Sequence, residues 1–442
     1  MSRVWFDVSS LVGWSGPLTG MQRVSVSIIH EYMKLDPDTK FVSFDPDTKT
    51  FKEAPKTVVT DLAAAIKDTK QGGLRRNWQF HFKSFVRSQI PENLIPLLGD
   101  VKRSILKGVG AAKILLFSNY KEFDCPFGHG DSLIALDVTW GRHNYVPYLP
   151  YFKEKFGIRF FHLVHDIIPI KFPNFYEQRF GTHFREHIRQ VLMESEAVLV
   201  YSDNTREDLR QWSITENLKK PTFMRIHLGS DFASLNQSEK VEGLEGKPFC
   251  LYVSTLEVRK NHLLLLKTWK RLIERLGEQT PRLVFAGRRG WMIQETLDYL
   301  KSHPELNDHL VWLQNCSDNE LAWLYQNCLF TLYPSRYEGW GLPVIESLAY
   351  GKLCLASGAA SIPEAGSSFA RYFDPESVDE CESLCLSYIL DPQKIRDAEK
   401  YIKDHYRQTR WSETARDLAN ELADVRAALR TSSTLVEARQ QS

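Results

Sequence analysis

The sequence predicts an α/β protein with two domains, each built around a parallel β-sheet, and three observations support this. The chain has 442 residues, enough for about two domains of roughly 100–200 residues each. Short apolar runs alternate with helical patterns along most of the chain, which is typical of parallel α/β layers. Between the two series of runs, the polar stretch 238–247 contains two glycines, which is typical of an interdomain linker.

The first series begins with a strand at 4–7, followed by a glycine-containing loop and a helix at 23–35. Its remaining strands are expected at 41–44, 113–117, 132–137, 159–165 and 197–202. The second series has strands at 249–254, 282–286, 309–313, 329–333 and 353–357. This pattern predicts two Rossmann-like domains, at 1–237 and 248–400, that face each other across a cleft. Ligands of such sheets bind beyond the carboxyl ends of the strands, so the cleft is the expected active site.

Composition narrows the class of protein. With 43% hydrophobic and 25% charged residues, the chain has the make-up of a globular protein. A formal net charge of +1 argues against a globally basic nucleic-acid binder, so no nucleic-acid partner is expected. The seven cysteines include no Cys-x-x-Cys pair, which indicates reduced core thiols. We find no signal peptide and no apolar run of about 18 residues, so we expect a cytoplasmic protein, at most peripheral on the inner membrane.

Two glutamates eight positions apart, Glu338 and Glu346, form the most informative feature of the chain. An apolar predicted strand leads into a glycine-rich loop, and a helix with proline in its first turn follows. Gly339 and Gly341 allow backbone N–H groups to approach a ligand at the helix N-terminus, which suits phosphate. The two carboxylates face one cleft and suit the hydroxyls of a sugar. The pattern therefore predicts a nucleotide-sugar site.

Residues 334–351 read Pro-Ser-Arg-Tyr-Glu-Gly-Trp-Gly-Leu-Pro-Val-Ile-Glu-Ser-Leu-Ala-Tyr-Gly. This stretch resembles the Glu-x7-Glu motif of retaining glycosyltransferases with the GT-B fold, most closely family 4, with tryptophan in place of phenylalanine. The resemblance implies that Glu338 is a catalytic contact of the donor sugar and that Glu346 accepts hydrogen bonds from the ribose. Further donor-binding residues that the motif implies are Gly339, Trp340, Gly341 and Leu342.

The resemblance also implies the GT-B division of labour. The N-terminal domain would bind the acceptor, and the C-terminal domain would bind the nucleotide-sugar donor. Residues 401–430 resemble the C-terminal helix of the family, which crosses back to the first domain. The last residues, 431–442, are polar and are expected to be flexible.

Residues 251–262 resemble the family's Gly-Thr-Leu-Glu-Pro-Arg-Lys-Asn segment, although Ser254 and Val258 replace its glycine and proline. The resemblance places Arg259 and Lys260 at the donor diphosphate, whose charge must be neutralised as the sugar–phosphate bond breaks. The alternative is a solvated basic pair at the start of a helix, which the helix dipole disfavours.

A His-Asp-x-x-Pro motif ends one predicted strand of the first domain. By resemblance to the family, His165 and Asp166 are implied as catalytic residues, with the histidine facing the donor sugar across the cleft. The alternative is a structural histidine at a strand end. His162 is expected to point to the other face of the strand, because side chains alternate along it.

Two glycine segments add weaker resemblances. Residues 285–291 resemble Val-Gly-x-x-Gly-Trp, which implies that Gly287 passes close to the nucleotide, while Arg288 is equally well explained as a surface charge. Residues 17–24 are similar to Thr-Gly-Ile-x-Arg, so Gly20 is expected to approach the sugar or the diphosphate. The latter loop matches neither the dinucleotide-binding nor the Walker pattern, so nicotinamide and ATP gain no support.

A competing motif, Asp-Pro-Asp, occurs at 36–38 and again at 45–47. It resembles the Asp-x-Asp metal site of the other common glycosyltransferase fold. Asp-Pro followed by Asp or Thr is also ordinary turn chemistry. We interpret both copies as turns, and we expect no bound metal and no cofactor besides the donor substrate.

Residues 67–107 form a basic segment with a net charge of +6, from nine basic and three acidic side chains, interleaved with aromatic residues. Such a segment can lie on an anionic membrane surface. The alternative is a solvated pair of helices that pack locally on the N-terminal domain.

These observations predict a retaining, metal-independent glycosyltransferase that transfers a hexose from a nucleoside-diphosphate sugar to a growing glycan or a lipid-linked oligosaccharide. The resemblance is closest to bacterial mannosyltransferases of surface polysaccharides such as the lipopolysaccharide O-antigen, which favours GDP-mannose among donors. One alternative is a catalytically idle sugar-binding or scaffold subunit of a polysaccharide-assembly complex. Another is a phosphorylase of the same fold, which would need pyridoxal phosphate on a lysine that nothing in the sequence marks.

Overall fold

A computed structural model of the chain describes residues 2–14, 20–69, 125–141, 143–230 and 238–440. The predicted strand at 113–117 lies outside the described residues, and so do residues 70–107 of the basic segment. The membrane contact expected for that segment therefore stays a prediction.

Parallel strands with helices between them build the N-terminal domain. In chain order its strands are β1 Val4–Asp7, β2 Lys40–Asp45, β3 Thr50–Glu53, β4 Ser132–Ala135, β5 Arg159–Leu163, β6 Ala197–Val200 and β7 Phe223–Arg225. They form a seven-stranded sheet in the order β3-β2-β1-β4-β5-β6-β7, in which only the pairing of β2 with β3 is antiparallel among the described strands. Its helices are α1 Gly20–Leu35, α2 Thr57–Thr69, α3 Leu149–Phe156, α4 Ile168–Lys171, α5 Gln178–Glu194 and α6 Asp203–Thr215.

The C-terminal domain repeats this design with a six-stranded parallel sheet. Its strands are β8 Phe249–Val253, β9 Arg282–Ala286, β10 Leu310–Leu313, β11 Thr331–Tyr333, β12 Cys354–Ser357 and β13 Arg371–Phe373. Their order is β10-β9-β8-β11-β12-β13. Its helices are α7 His262–Leu276, α8 Gln294–Ser302, α9 Asp318–Asn327, α10 Leu342–Ala349, α11 Ile362–Gly366, α12 Val378–Ile389 and α13 Pro392–His405, and α14 Trp411–Gln440 ends the described chain.

All predicted strands that fall on described residues are confirmed, and their ends shift by at most two residues. Three strands were not predicted, namely β3, β7 and β13, and each of them lies at the edge of its sheet. Each of these three strands has a single buried residue and therefore no apolar run, whereas β10, also at an edge, reads Leu-Val-Trp-Leu and was predicted. The central strands are covered on both faces, which forces the apolar runs that made them predictable.

Helix α14 packs against the N-terminal domain, although it follows the C-terminal domain in the chain. Trp411, Leu418 and Leu422 are buried in the same apolar core as β1 and α1. The chain therefore passes between the domains twice, once after residue 230 and again at 406–410. The helix ends at Gln440, past the predicted end at 430. Within the described ranges, no helix is both long enough and apolar enough to cross a bilayer.

Two smaller predictions are also confirmed. Both Asp-Pro-Asp segments form turns, in which the carboxylate of Asp36 accepts from the Asp38 amide at 3.1 Å and that of Asp45 accepts from the Asp47 amide at 2.9 Å. All seven cysteines lie in the described ranges as free thiols, and five of them are buried.

Candidate active site

The candidate site lies where loops from both sheets meet. The C-terminal domain contributes the loop after β8, which carries Arg259 and Lys260, and the loop after β11, which carries Glu338. The N-terminal domain contributes the segment after β5, which carries His165 and Asp166. All three segments follow the carboxyl ends of parallel strands, the position at which ligands of α/β sheets bind.

Asn261 fixes the loop after β8. It adopts a left-handed backbone conformation, with φ of +58°, which asparagine tolerates better than most residues. Its Nδ2 donates to the carbonyl oxygens of Pro334 at 3.2 Å and Pro375 at 2.7 Å. The hydroxyl of Tyr252 donates to the Lys260 carbonyl oxygen at 2.6 Å. The loop that carries the two cations is thereby attached to the loop that carries Glu338.

Glu338 receives both cations. Its Oε2 lies 2.6 Å from Nη1 of Arg259, and its Oε1 lies 2.5 Å from Nζ of Lys260. The Glu338 residue is only 7% exposed, so these ion pairs are little screened by solvent. Burial on its own raises the pKa of Glu338, but the charges of Arg259 and Lys260 outweigh burial and hold that pKa at about 2. Glu338 is therefore an anion at any physiological pH.

A second buried carboxylate shares the guanidinium of Arg259. Nη2 of Arg259 donates to Oε1 of Glu257 at 2.6 Å, and Nη1 donates to the Tyr337 carbonyl oxygen at 2.8 Å. Nε of Arg259 is buried and has no acceptor among the described residues. A buried donor without an acceptor is unfavourable. The guanidinium is thus held through both of its Nη atoms, while its buried Nε–H has no described acceptor.

Burial also shifts the ionisation of the surrounding groups. It raises the pKa of Glu257 and of Asp166, in both cases against the opposing charge of Arg259. Burial and the neighbouring Arg259 lower the pKa of Lys260. Clustered groups with opposed shifts are typical of functional sites, although structural ion pairs produce them too.

Gly339 lies at a close approach of the two domains. A Cβ atom at this position would lie 2.2 Å from the carbonyl oxygen of His165 and 3.0 Å from Cβ of Asp166. The absence of a side chain thus lets the loop after β11 reach the backbone of the N-terminal domain. Gly341, two residues on, has φ of +129°, a conformation that L-residues rarely adopt. The two glycines predicted from the sequence are therefore needed for the path of this loop.

The residues that follow in the motif continue the contact. Trp340 and Leu342 pack against the apolar core of the N-terminal domain, and the ring of Trp340 meets Tyr201 edge-on at 6.2 Å between centroids. The buried hydroxyl of Ser361 donates to the carbonyl oxygens of Glu338 at 2.7 Å and Trp340 at 3.0 Å. Ser361 thus fixes the loop within the C-terminal domain, while Trp340 and Leu342 pack it against the N-terminal domain.

The imidazole of His165 is held by two partners inside the N-terminal domain. Nε2 lies 3.2 Å from the Leu136 carbonyl oxygen, and Nδ1 lies 3.0 Å from the Tyr201 hydroxyl. Because a carbonyl only accepts, Nε2 carries the proton and Nδ1 accepts from Tyr201. Burial lowers the pKa of His165 to about 4, so the ring is neutral at pH 7. His162 contacts Thr139 instead, at 2.7 Å, as part of a separate buried group.

Glu346 lies in a different neighbourhood from Glu338. Its Oε2 accepts from the Tyr325 hydroxyl at 2.7 Å, and burial raises its pKa. The positive charge of Arg23, on the helix that Gly20 begins, also acts on this carboxylate. A Cβ atom added at Gly20 would have no contact within 4 Å. The two glutamates of the motif thus occupy separate parts of the candidate site.

Gly287 is explained by a contact within the C-terminal domain. A Cβ atom there would lie 1.9 Å from the carbonyl oxygen of Ser254, at the end of the neighbouring strand β8. The Gly287 carbonyl oxygen accepts from Nε1 of Trp312 at 2.8 Å. The loops after β8 and β9 thus approach each other so closely that a glycine is required at position 287, whether or not a nucleotide binds there.

Sequence reasoning passed over the residues that join the domains. The carboxylate of Glu364 accepts from the amides of Asp203 and Asn204, both at 2.7 Å, at the N-terminus of α6. The hydroxyl of Tyr337 accepts from Lys171 at 2.8 Å. No local sequence pattern connects Glu364 with α6 or Tyr337 with Lys171, so these contacts become apparent only in the fold. Glu257 was also overlooked, because it is the acidic residue of a segment chosen for its cations.

Comparison with known proteins finds similarity to glycosyltransferases. Residues 235–405 match the family of glycosyl transferases group 1. Two Escherichia coli proteins named serotype-specific mannosyltransferase WbdA are 25% and 29% identical to 80% of this chain. The chain spans a little under half of each of them, 46% and 44%. An E. coli O-antigen chain mannosyltransferase B is 26% identical over 55% of this chain and 64% of its own length.

Solved structures agree on the fold at low sequence identity. A sucrose-phosphate synthase from Thermosynechococcus elongatus superimposes with a TM-score of 0.60 at 14% identity, covering 97% of this chain and all of its own. Anabaena HepE, solved in complex with UDP and glucose, gives a TM-score of 0.58 at 14% identity, covering 96% of this chain and all of its own. The chain therefore has a GT-B fold and carries, at residues 235–405, a domain of the glycosyl transferases group 1 family.

Proposed function

We propose that this protein is a retaining, metal-independent glycosyltransferase that transfers mannose from a nucleoside-diphosphate mannose to a growing glycan or lipid-linked oligosaccharide. The observation that carries the proposal is the buried group formed by Arg259, Lys260 and Glu338 at the junction of the two domains. The two cations are suited to bind a diphosphate, and the carboxylate of Glu338 that pairs with both is suited to the hydroxyls of a sugar. The mannosyltransferase names of the curated relatives favour mannose.

The mechanism that we propose is front-face substitution without a covalent intermediate. Arg259 and Lys260 stabilise the negative charge of the diphosphate as it departs. Backbone amides of Gly339 and Gly341 lie at the start of α10, where phosphate oxygens are favoured. Glu338 accepts hydrogen bonds from the donor sugar while it keeps both cations in place.

The N-terminal domain would complete the sugar site. In the proposal, His165 and Asp166 border the donor sugar from across the cleft, and the acceptor hydroxyl attacks from the same side. The His165 ring is neutral and held by Leu136 and Tyr201. The role proposed for His165 is therefore to shape the pocket and to orient the sugar in it, without proton transfer. Glu346 would receive the ribose hydroxyls on the other side of the loop.

The test of this function is donor binding followed by turnover. Thermal unfolding should be measured with GDP, UDP and dTDP, since a ligand of the native state raises the melting temperature. The nucleotide that stabilises the protein identifies the donor to be used in hydrolysis and transfer assays. Stabilisation by GDP and release of GDP from GDP-mannose are the expected results. Failure of every nucleoside diphosphate to bind would contradict the proposal.

Glu346→Ala is expected to raise the donor KM by about 10- to 100-fold, with a smaller effect on kcat. Hydrogen bonds to a charged group contribute roughly 1.5–3 kcal/mol, and those to the ribose act before and during the chemical step alike. Initial rates over a range of donor concentrations measure the change. Glu305→Ala, at an exposed glutamate of the same domain, is the matched control. An unchanged donor KM in the Glu346 variant would exclude the ribose contact.

Chelation of metal ions by EDTA is expected to leave the transfer rate nearly intact. The proposed site meets the diphosphate charge with Arg259, Lys260 and backbone amides, and a metal would be redundant there. Within the described ranges, no group of three or more His, Cys, Asp or Glu side chains is placed to hold an ion. Loss of the rate in EDTA and its recovery with Mn²⁺ would contradict the prediction and would direct attention back to Asp45 and Asp47.

A further inference from the structure

The charged groups around Arg259 carry a net negative charge, which opposes the binding of a further anion. Three carboxylates, those of Asp166, Glu257 and Glu338, surround two cations, Arg259 and Lys260. With every group in its usual charge state, the cluster carries a net charge of −1 before any donor arrives. The diphosphate of a nucleotide-sugar would add two negative charges. A buried site with that excess is strongly disfavoured unless it gains a proton.

Glu257 is the carboxylate that donor binding would affect most. It is 4% exposed, and its described hydrogen bond is the one from Nη2 of Arg259 at 2.6 Å. Glu338 has two cationic partners, and Asp166 accepts from the Ile168 amide at 3.0 Å. If the diphosphate attracts Arg259, Glu257 is the carboxylate with the fewest remaining partners.

The groups that face Glu257 come from several elements. Arg259 and Lys260 belong to its own loop, Glu338 to the loop after β11, and Asp166 and Tyr176 to the N-terminal domain. The segment after β9 meets this loop through its backbone, where the Leu256 amide donates to the Arg288 carbonyl oxygen at 2.8 Å and Leu256 pairs with Arg289. The only cation in direct contact with Glu257 among the described residues is Arg259.

We propose that binding of the nucleotide-sugar is coupled to the uptake of one proton by Glu257, which thereby releases the charge of Arg259 to the diphosphate. The inference rests on the proposed function, because it takes the diphosphate to bind at this cluster. Glu257 is then a positioning residue: it holds the guanidinium in place in the empty site and gives up its negative charge in the loaded one. Burial, which already raises the pKa of Glu257, acts in the same direction.

The sign of the linkage follows from this coupling. Donor binding raises the pKa of Glu257 above its value in the free protein, so the complex holds more protons than the free protein does. Donor affinity is therefore full below the pKa of the free protein and falls as pH rises toward the pKa of the complex. For one proton, the donor Kd increases by up to about tenfold per pH unit in that window.

Isothermal titration calorimetry of the protein tests the coupling. GDP-mannose is the first titrant and UDP-glucose the second, because both phosphates of a nucleotide-sugar are diesters without the ionisation near pH 6 that a terminal phosphate would contribute. Titrations at one pH are run in PIPES and in Tris, which differ in ionisation enthalpy. Proton uptake makes the observed enthalpy more positive in Tris, and this is the expected result. Equal enthalpies in the two buffers would overturn the inference.

Substitutions identify the residue that takes up the proton on donor binding. Glu257→Gln keeps the shape of the side chain and an oxygen for Arg259, so it should bind the donor with no buffer-dependent enthalpy and a flat dependence of Kd on pH. Asp166→Asn should retain the uptake, and Glu278→Gln, at an exposed glutamate of the same domain, should behave as the parent. Uptake that survives in Glu257→Gln would reassign the proton to Asp166 or Lys260 and overturn the role of Glu257.

The outcomes separate this inference from the proposed function. Neither titrant binding to the parent protein would contradict the proposed function itself. Binding without proton uptake would leave the proposed function standing and overturn the inference. If Glu257→Gln does not fold, as judged by its thermal unfolding, the two-buffer comparison and the pH dependence of Kd on the parent protein still decide whether a proton is taken up.

Discussion

Arg259→Ala is expected to lower kcat for transfer by roughly 10²–10³-fold, the usual cost of removing one preorganised group that stabilises charge in a transition state. The guanidinium is buried and fixed by Glu257, Glu338 and the Tyr337 carbonyl oxygen, so its position is set before the donor binds. Initial rates at saturating donor measure the effect. The kcat of Arg259→Lys should lie between that of Arg259→Ala and that of the parent protein. Lysine keeps the positive charge but lacks the planar guanidinium with its several N–H donors.

Stability must be measured beside the rate, since Arg259→Ala also leaves buried Glu257 without its described cation and Glu338 with Lys260 alone. Breaking a buried ion pair costs on the order of 3–5 kcal/mol. A melting temperature that drops below the assay temperature would make the rate uninformative, and the Lys variant then carries the test. Arg210→Ala is the control, because Arg210 pairs with Glu207 on an exposed helix surface where an ion pair contributes little. An unchanged kcat in both Arg259 variants would remove the guanidinium from the mechanism.

Gly339→Ala is expected to reduce kcat by about 100-fold while both domains stay folded. The added carbon would lie 2.2 Å from the His165 carbonyl oxygen, and this atom belongs to the backbone of the other domain. The domains must therefore separate, and a displacement of about 1 Å at reacting groups can cost 10²-fold in rate. Nucleotide affinity should change less than kcat, because the proposed nucleotide contacts lie in the C-terminal domain.

A second glycine controls for the effect of adding a methyl group. Gly181→Ala places its carbon 3.7 Å from the Pro169 carbonyl oxygen, an ordinary contact within the N-terminal domain. This variant should keep its activity, and alanine favours the helix α5 in which it lies. Equal activity of Gly339→Ala and the parent would show that the contact with His165 is not needed during turnover.

Much of the fold could be predicted because the central strands are covered on both faces. The run Leu-Val-Phe-Ala of β9 is apolar for that reason, whereas β3 reads Thr-Phe-Lys-Glu and has only one buried side chain. Edge strands place weaker demands on sequence, and they were the ones overlooked. Helix α1 begins at Gly20, three residues before its predicted start, since its first turn has no apolar pattern of its own.

The candidate site divides along similar lines. Arg259, Lys260 and Glu338 were singled out because each lies in a short segment that resembles a family motif, and the fold brings their three side chains together. The partner of Gly339 was not predictable, because the His165 carbonyl oxygen is brought to it only when the two domains meet. The contact of Glu364 was not predictable either. Its carboxylate oxygens accept from two amides of α6, and no local sequence pattern connects these residues. Contacts between domains depend on docking, which short-range patterns do not encode.

The packing of α14 means that no single cut in the chain divides this protein into its two domains. A fragment that ends at residue 405 would keep the whole second sheet but would strip Trp411, Leu418 and Leu422 from the first, leaving an open apolar trough beside α1.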